Sequence, residues 1–454
     1  MLLQFTFENF ACFAEESHFS MVASPDEEHS DHLVLTETGR KPSVLRTAVL
    51  YGANAHGKTK LVEALSFAQL LVVKGTKSGQ SIRVSPFRLD KNLREATSRF
   101  EFVIHYLSVE YTYGFVVDSE RVHEEWLYAR PNVREVMLFE RLSDENGKVT
   151  VEPGPSLAGR IKKEQQFLEF IAKGTRPNQL FLTEAVDRNV EKLEPLYNWF
   201  KEVLTIISAS ARFQPIEVRS NLEEDFVKFI GEFLNKAGTG IESVEAVEEE
   251  IDYDKHMPGI SEEFRNEIET DIKKGAIISF TTMEGGSFSI CTDGTGKPVM
   301  VRLKTVHNGK DGLQVRFDFE EESAGTQRLM DILPILADVR AGEKVYVIDE
   351  LDRKLHPLLS RLFIESYLEQ CSDSQRGQLI FTTHDTHLLD LNLLRRDEVW
   401  FLQKDSEGGT KLYSLSDLKV RSDLKIEKGY LNGRFGGIPF IKPVPLFSST
   451  KEKH

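Results

Sequence analysis

Cysteine is scarce in this chain of 454 residues: Cys12, Cys291 and Cys371 are scattered, odd in number and form no C-x-x-C pair. That usage excludes a disulfide scaffold and fits buried thiols in a reducing cytoplasm. Long hydrophobic runs are missing as well. The stretch Ala64 to Val73 is interrupted by Ser66 and Gln69 and is too short to span a bilayer. The opening ten residues have no basic segment and place Glu8 early, so no secretory signal is expected. Positive charge is in short supply, with 57 Lys and Arg against 72 Asp and Glu and a net charge of −15. Such a balance disfavours a surface that coats nucleic acid, while leaving room for a local basic groove. No a/d heptads are sustained, which argues against a long coiled-coil arm. There is no internal repeat and no low-complexity segment. What remains is ordinary for a soluble globular protein, 40% hydrophobic and 28% charged, long enough for two or three structural units.

The strongest positive signal is Gly52-Ala53-Asn54-Ala55-His56-Gly57-Lys58-Thr59, which matches G-x-x-x-x-G-K-[ST]. Apolar Ala48, Val49 and Leu50 precede it, and Leu61, Ala64, Leu65 and Ala68 follow at helical spacing. The pattern predicts strand, phosphate loop, helix. Backbone N–H groups from Asn54 to Gly57 can then close around phosphate oxygens, Lys58 can bridge the β- and γ-phosphates of ATP, and the Thr59 hydroxyl can hold Mg²⁺.

Around this loop the chain changes character several times. Phe5, Phe7, Phe10, Phe13 and Phe19 alternate with polar residues, as in paired strands. Residues 76–155 read as an antiparallel β insertion, and 156–275 as a helical region. The acidic run Glu245 to Asp254 reads as a solvated face or linker. The last third alternates strand with helix, which predicts a parallel sheet covered by helices. Two apolar runs there, Lys344 to Ile348 and Gln378 to Thr382, suit strands buried on both faces.

The polar ends of those runs carry the chemistry. Asp349 ends the first and is placed to complete Mg²⁺ coordination. Glu350, the next residue, is placed to polarise an attacking water, since phosphoryl transfer needs an oriented nucleophile more than covalent chemistry. His384 follows the second and is placed to contact the γ-phosphate. Upstream, Ser323 can cap the apolar helix that begins after it, and Gly325 leaves room for a phosphate at that helix N-terminus.

In order, these pieces resemble the ABC, SMC and Rad50 ATPases, with Glu321 to Arg328 in the place of their signature and Leu351 to Pro357 in that of their D-loop. Glu8-Asn9-Phe10 is similar to the first strand of RecF- and SMC-type heads. The segments Met21 to Ser24, Val122 to Tyr128, Thr382 to Thr386 and Glu427 to Pro439 narrow the likeness to the prokaryotic AAA15/AAA21-type ATPases, including RloA and AbiL, with the PARIS ATPase more distant. The resemblance covers nearly the whole chain. It implies an α/β head of ABC/SMC type that dimerises around ATP, with Ser323, Gly325 and Asp352 acting on the nucleotide of the opposite subunit. It also implies a separately encoded effector, often a TOPRIM-type nuclease. The signature here is Ser-Ala-Gly-Thr where transporters have Leu-Ser-Gly-Gly.

The expected organisation is an N-terminal lobe with the phosphate loop (1–75), the β insertion (76–155), the helical insertion (156–275), a C-terminal lobe with signature, acidic pair and His384 (276–415), and a tail (416–454). The expected function is an ATP-hydrolysing switch of an anti-phage, abortive-infection type system, cytoplasmic and homo-oligomeric, without a membrane segment. The alternative is a RecF- or Rad50-like ATPase acting directly on DNA. A self-contained nuclease is rejected, because only 70 residues follow His384.

Overall fold

Three short runs, Thr47–Tyr51, Val345–Ile348 and Gln378–Thr382, are buried at every residue. Chains this apolar on both faces can only sit inside a sheet covered by helices, and that is where the computed structural model has them. It describes residues 1–34, 43–209, 224–281, 287–339, 342–371, 375–418 and 425–438. The six-stranded sheet runs Leu204–Ile207, Val345–Ile348, Gln378–Thr382, Thr47–Tyr51, Val399–Lys404, Thr410–Ser414. Its first five strands are parallel and the last is antiparallel.

Strand alternation splits the core. Ala48, Leu50, Val345, Val347 and Ile380 pack with Leu61, Ala64, Leu65 and Ala68 of the helix Lys58–Lys74. Val49, Tyr51, Tyr346, Ile348, Leu379 and Phe381 face the helices Ala324–Asp338 and Pro357–Gln370 on the other side. Gln69 ties the first of these helices to the edge strand, donating to the carbonyls of Phe200 (2.8 Å) and Leu204 (2.6 Å).

The N-terminal strands and those between 98 and 153 form one layer. The seven-stranded antiparallel sheet runs Val149–Pro153, Val136–Ser143, Val122–Arg130, Val109–Val117, Ser98–Tyr106, Leu2–Glu8, Ser17–Ser20. Phe5 meets Phe102 at 4.6 Å between ring centroids, and Phe102 meets Phe200 edge-on at 5.0 Å. Gln378 fastens this layer to the parallel sheet: its amide accepts from Leu2 N (2.6 Å) and donates to the carbonyls of Leu2 (3.0 Å) and Leu45 (3.1 Å).

Residues 156–275, read as helical, do contain the helices Lys162–Gly174, Phe181–Asp187, Glu224–Lys236 and Glu262–Lys273. They also supply two strands. Leu204–Ile207 is the edge of the parallel sheet, and Ile241–Glu250 pairs antiparallel with Pro298–Asn308 in a five-stranded sheet. The acidic run is thus largely a strand: Glu248 and Glu250 point to solvent while Ile241 and Val244 are buried. Further on, the sequence suggests turns at Gly285-Gly286 and Asp293-Gly294, of which the first lies outside the described residues. Among the described residues no helix is long and apolar enough to cross a membrane.

For Asp423 to Pro443 the sequence suggests a terminal strand packed on the core, or an ordered segment that shows Arg434 and Phe435 to a partner; of this stretch 425–438 are described. In place of a strand, the chain makes the helix Ile426–Leu431 and then turns through glycines. Phe435 is buried, stacked on Phe401 at 5.9 Å, and its carbonyl accepts from the Tyr413 hydroxyl at 2.6 Å. Arg434 stays exposed. The expected result is that Phe435→Ala costs about 3–5 kcal/mol and lowers the melting temperature, while Arg434→Ala stays within about 0.5 kcal/mol of wild type. Equal thermal unfolding curves for Phe435→Ala and wild type would remove the tail from the core.

Candidate functional site

The carboxyl edge of the parallel sheet gathers loops from three neighbouring strands, the usual place for a ligand in an open α/β sheet. The loop after Thr47–Tyr51 turns through Ala55 (φ 63°) and Gly57 (φ 101°). A side chain at 57 would be strained and would also strike Cys12, since a Cβ there would lie 2.8 Å from its Sγ. The helix Lys58–Lys74 starts without a side-chain cap, so its first N–H groups stay available to an anion. Asn54, Ala55 and Thr59 are exposed at the mouth of the loop. His56 is tied sideways, its Nδ1 3.2 Å from the Leu402 carbonyl. Its imidazole is held below the usual range, first by burial.

Lys58 is 5% exposed and donates to the carbonyls of Gly52 (2.6 Å) and Ala53 (3.4 Å). Burial lowers its ammonium from the ordinary 10.5 to about 8, against the pull of Asp349, Asp352 and Glu350. A buried ammonium facing three carboxylates can take phosphate oxygens on one side while the carboxylates share a divalent cation on the other.

Thr382, whose side chain the motif reading passed over, joins the pieces. Its strand lies between the phosphate-loop strand and the strand that ends at Asp349. Its hydroxyl donates to Asp349 Oδ1 (2.7 Å) and accepts from Glu350 N (2.8 Å), while Leu351 N returns to its carbonyl (3.0 Å). Asp349 is buried, and its own N–H donates to the Ile207 carbonyl at 2.9 Å. Glu350 takes a left-handed backbone (φ 51°), a conformation that costs a non-glycine residue and turns the chain sharply at the edge.

His384 and Asp352 meet next to this pair, with His384 N donating to Asp352 Oδ2 at 3.2 Å. The imidazole is held below its ordinary range by partial burial first and then by Lys58, while Asp352, Glu350 and Asp349 pull the other way. Asp352 Oδ1 is buried and has no partner among the described residues. A cavity of about 290 Å³ opens here, lined by Asp352, Leu355, Pro357, His384, Asp385, Thr386 and His387.

The other two predicted residues sit apart from the loop in the single chain. Ser323 does cap its helix, accepting from Thr326 N (3.1 Å) and pairing with the Thr326 hydroxyl (2.8 Å). A Cβ at Gly325 would lie 2.8 Å from the Lys354 carbonyl, so glycine there admits the loop after Glu350. Arg328, one turn into this helix, was not singled out by its sequence. It is buried, with Nε and Nη2 unpartnered among the described residues, and it feels Asp331, Asp352 and Glu350 as attractive charges. An Arg at a core position of an apolar helix was the available signal.

Comparison with known proteins gives one family and several structures. The model of the family AAA_21, "AAA domain, putative AbiEii toxin, Type IV TA system", matches residues 48–390. No curated protein is significantly similar to the chain. Among solved structures, the chain is similar to an SMC head bound to the C-winged helix domain of ScpA, at 12% identity and a TM-score of 0.38 over 91% of this chain and 97% of that one. It is also similar to the SMC head domain of Thermotoga maritima, at 12% identity and 0.33 over 92% and 99%. A third is an Smc head with an extended coiled coil bound to the C-terminal domain of ScpA, derived from Pyrococcus furiosus, at 12% and 0.30 over 91% and 96%.

Proposed function

The chain belongs to the AAA_21 family, with an α/β phosphate-loop head of ABC/SMC type, and from that premise we propose that it is an ATP-hydrolysing switch subunit of a defence system that controls a separately encoded effector. The observation that carries the reading is Lys58, buried and depressed to about 8 beside Asp349, Glu350 and Asp352. The residues fit MgATP. Backbone from Asn54 to Gly57 and the uncapped helix start would hold the phosphates, Lys58 would exchange its carbonyl partners for phosphate oxygens, and Thr59 and Asp349 would hold Mg²⁺. Bound Mg²⁺ supplies charge neutralisation on the phosphates. Glu350, fixed through Thr382, orients the attacking water, and His384 contacts the γ-phosphate. Ser323, Gly325 and Asp352 serve the site of a second copy. The family description, which names a toxin of a type IV system, supports the defence setting; the separate effector, of which a TOPRIM nuclease is one form, is part of the proposal.

The test uses Lys58. Its folded value lies below the ordinary one, so between pH 8 and 10.5 the unfolded chain holds a proton that the folded chain has released, and stability gained from this group rises with pH across that window. Phosphates reverse the preference. At pH 8 ATP binding is expected to take up about half a proton, read by calorimetry in buffers of different ionisation enthalpy. Phosphate release and retention of the neighbouring reading frame's product are measured alongside, with ATP and with ADP. Absence of ATP binding rejects the site, and equal retention in both nucleotide states rejects the switch.

A further inference from the structure

Away from the nucleotide edge, the segment from Ser24 to His32 is moored to the loop that leads into Val399–Lys404. Arg395, 1% exposed, donates to Asp397 at 2.9 Å and to the carbonyls of Asp26 (3.1 Å), Ser24 (3.4 Å) and Glu28. Asp397 in turn accepts from Ser24 N (2.7 Å) and Ser24 Oγ (2.8 Å). Within this mooring stand His29, Asp31 and His32, with one ligand atom of each inside 4.8 Å of the other two.

Each imidazole is already oriented from behind. His29 directs Nε2 to the Leu391 carbonyl at 2.7 Å, and His32 directs Nδ1 to the carboxylate of fully buried Glu398 at 3.0 and 3.1 Å. A carbonyl or carboxylate on one ring nitrogen fixes the proton there and leaves a lone pair on the other, the arrangement that metal-bound histidines share. The nitrogens left over are Nδ1 of His29 and Nε2 of His32. His32 is 4% exposed, its ring stacks on that of His29 with centroids 4.9 Å apart, and its Nε2 stands 4.0 Å from Asp31 Oδ2, beyond hydrogen-bond reach. The free nitrogen of a buried histidine, a carboxylate and a second oriented imidazole together make a donor set of two nitrogens and one oxygen.

We propose that His29, Asp31 and His32 bind a divalent transition metal of the zinc class, with a water in the fourth position, as a clasp holding the Ser24–His32 segment on the parallel sheet. Two imidazoles favour zinc over Mg²⁺ or Ca²⁺, which prefer oxygen donors. Tetrahedral bonds of about 2.0–2.1 Å put donors about 3.3 Å apart, so the set must contract. Asp31, whose side chain is 80% exposed, is free to swing inward.

The experiment uses full-length chain without a purification tag, stripped with chelator and free of nucleotide, and titrates it with Co²⁺ and then Zn²⁺. Wild type is expected to bind one Co²⁺ with the visible absorption of a tetrahedral site, to lose that absorption to Zn²⁺, and to melt at a higher temperature with Zn²⁺. The double variant His29→Ala, Asp31→Asn keeps the buried His32 and Glu398 pair, so it should fold yet lose the absorption. Glu398→Gln should weaken binding about 10–100-fold, and Asp349→Asn should keep the absorption, which separates this site from the Mg²⁺ position. Wild type without the tetrahedral signal, or a double variant that binds Co²⁺ as wild type does, overturns the proposal.

Discussion

Glu350→Gln is expected to bind ATP as wild type does and to release phosphate at least about a hundredfold more slowly. The substitution keeps shape and hydrogen-bonding reach, and the backbone that aims the side chain does not depend on its charge. That backbone is set by Thr382, which accepts from Glu350 N at 2.8 Å, and by the turn at φ 51°. Asp349, held by the same hydroxyl, is untouched. What is lost is the carboxylate that polarises water. Lys58→Ala makes the opposite split, because it removes the buried cation and should abolish binding. Nucleotide affinity and phosphate release are measured on the same preparations. Turnover by Glu350→Gln at the wild-type rate would remove the residue from catalysis.

Ser323→Arg is expected to abolish hydrolysis by a chain whose own phosphate loop is intact, because in the proposed two-copy arrangement Ser323 and Gly325 of one head would face the phosphate held by Lys58 of the other. Geometry within one chain leaves room for this: among the described residues Ser323 bonds only along its helix, and Asp352 keeps a buried oxygen without a partner. Losing the cap costs about 1 kcal/mol on its own. Ser323→Ala, which loses the cap without adding bulk, therefore separates the two effects and should keep most activity. Mixed Lys58→Ala and Ser323→Arg chains should regain at most one working site per pair. Full hydrolysis by Ser323→Arg alone would refute the composite site.

The parts of the site that could be read from the sequence were those whose function needs consecutive residues. A phosphate loop must be Gly-rich and end in Lys-Thr, and strands buried on both faces must be apolar and stop at their polar ends, so Gly52 to Thr59, Asp349 and Glu350 were all visible. Partnerships across the sheet were not. Thr382 matters because its strand separates two others, and strand order leaves no local trace. Leu204–Ile207 was hidden by its four-residue length and the helical pattern just before it. The Ile241–Glu250 strand was masked by its glutamates, which alternate with a half-buried face instead of forming a linker. Nor could the pairing of Leu2–Glu8 with Ser98–Tyr106 be read, since it spans the whole phosphate-loop helix.

The strand order also dictates when this protein can come into being on the ribosome. Thr47–Tyr51 is made early, yet its neighbours in the sheet are Gln378–Thr382 and Val399–Lys404. At about 5–20 residues per second the phosphate loop waits at least about fifteen seconds for the first of them. Until then no strand joins the one that carries Asp349 to the one that leads to Lys58, and an apolar strand stands unpaired. A message cut or stalled before codon 378 therefore yields a chain without a nucleotide site, which needs translation to pass His384 before it can form.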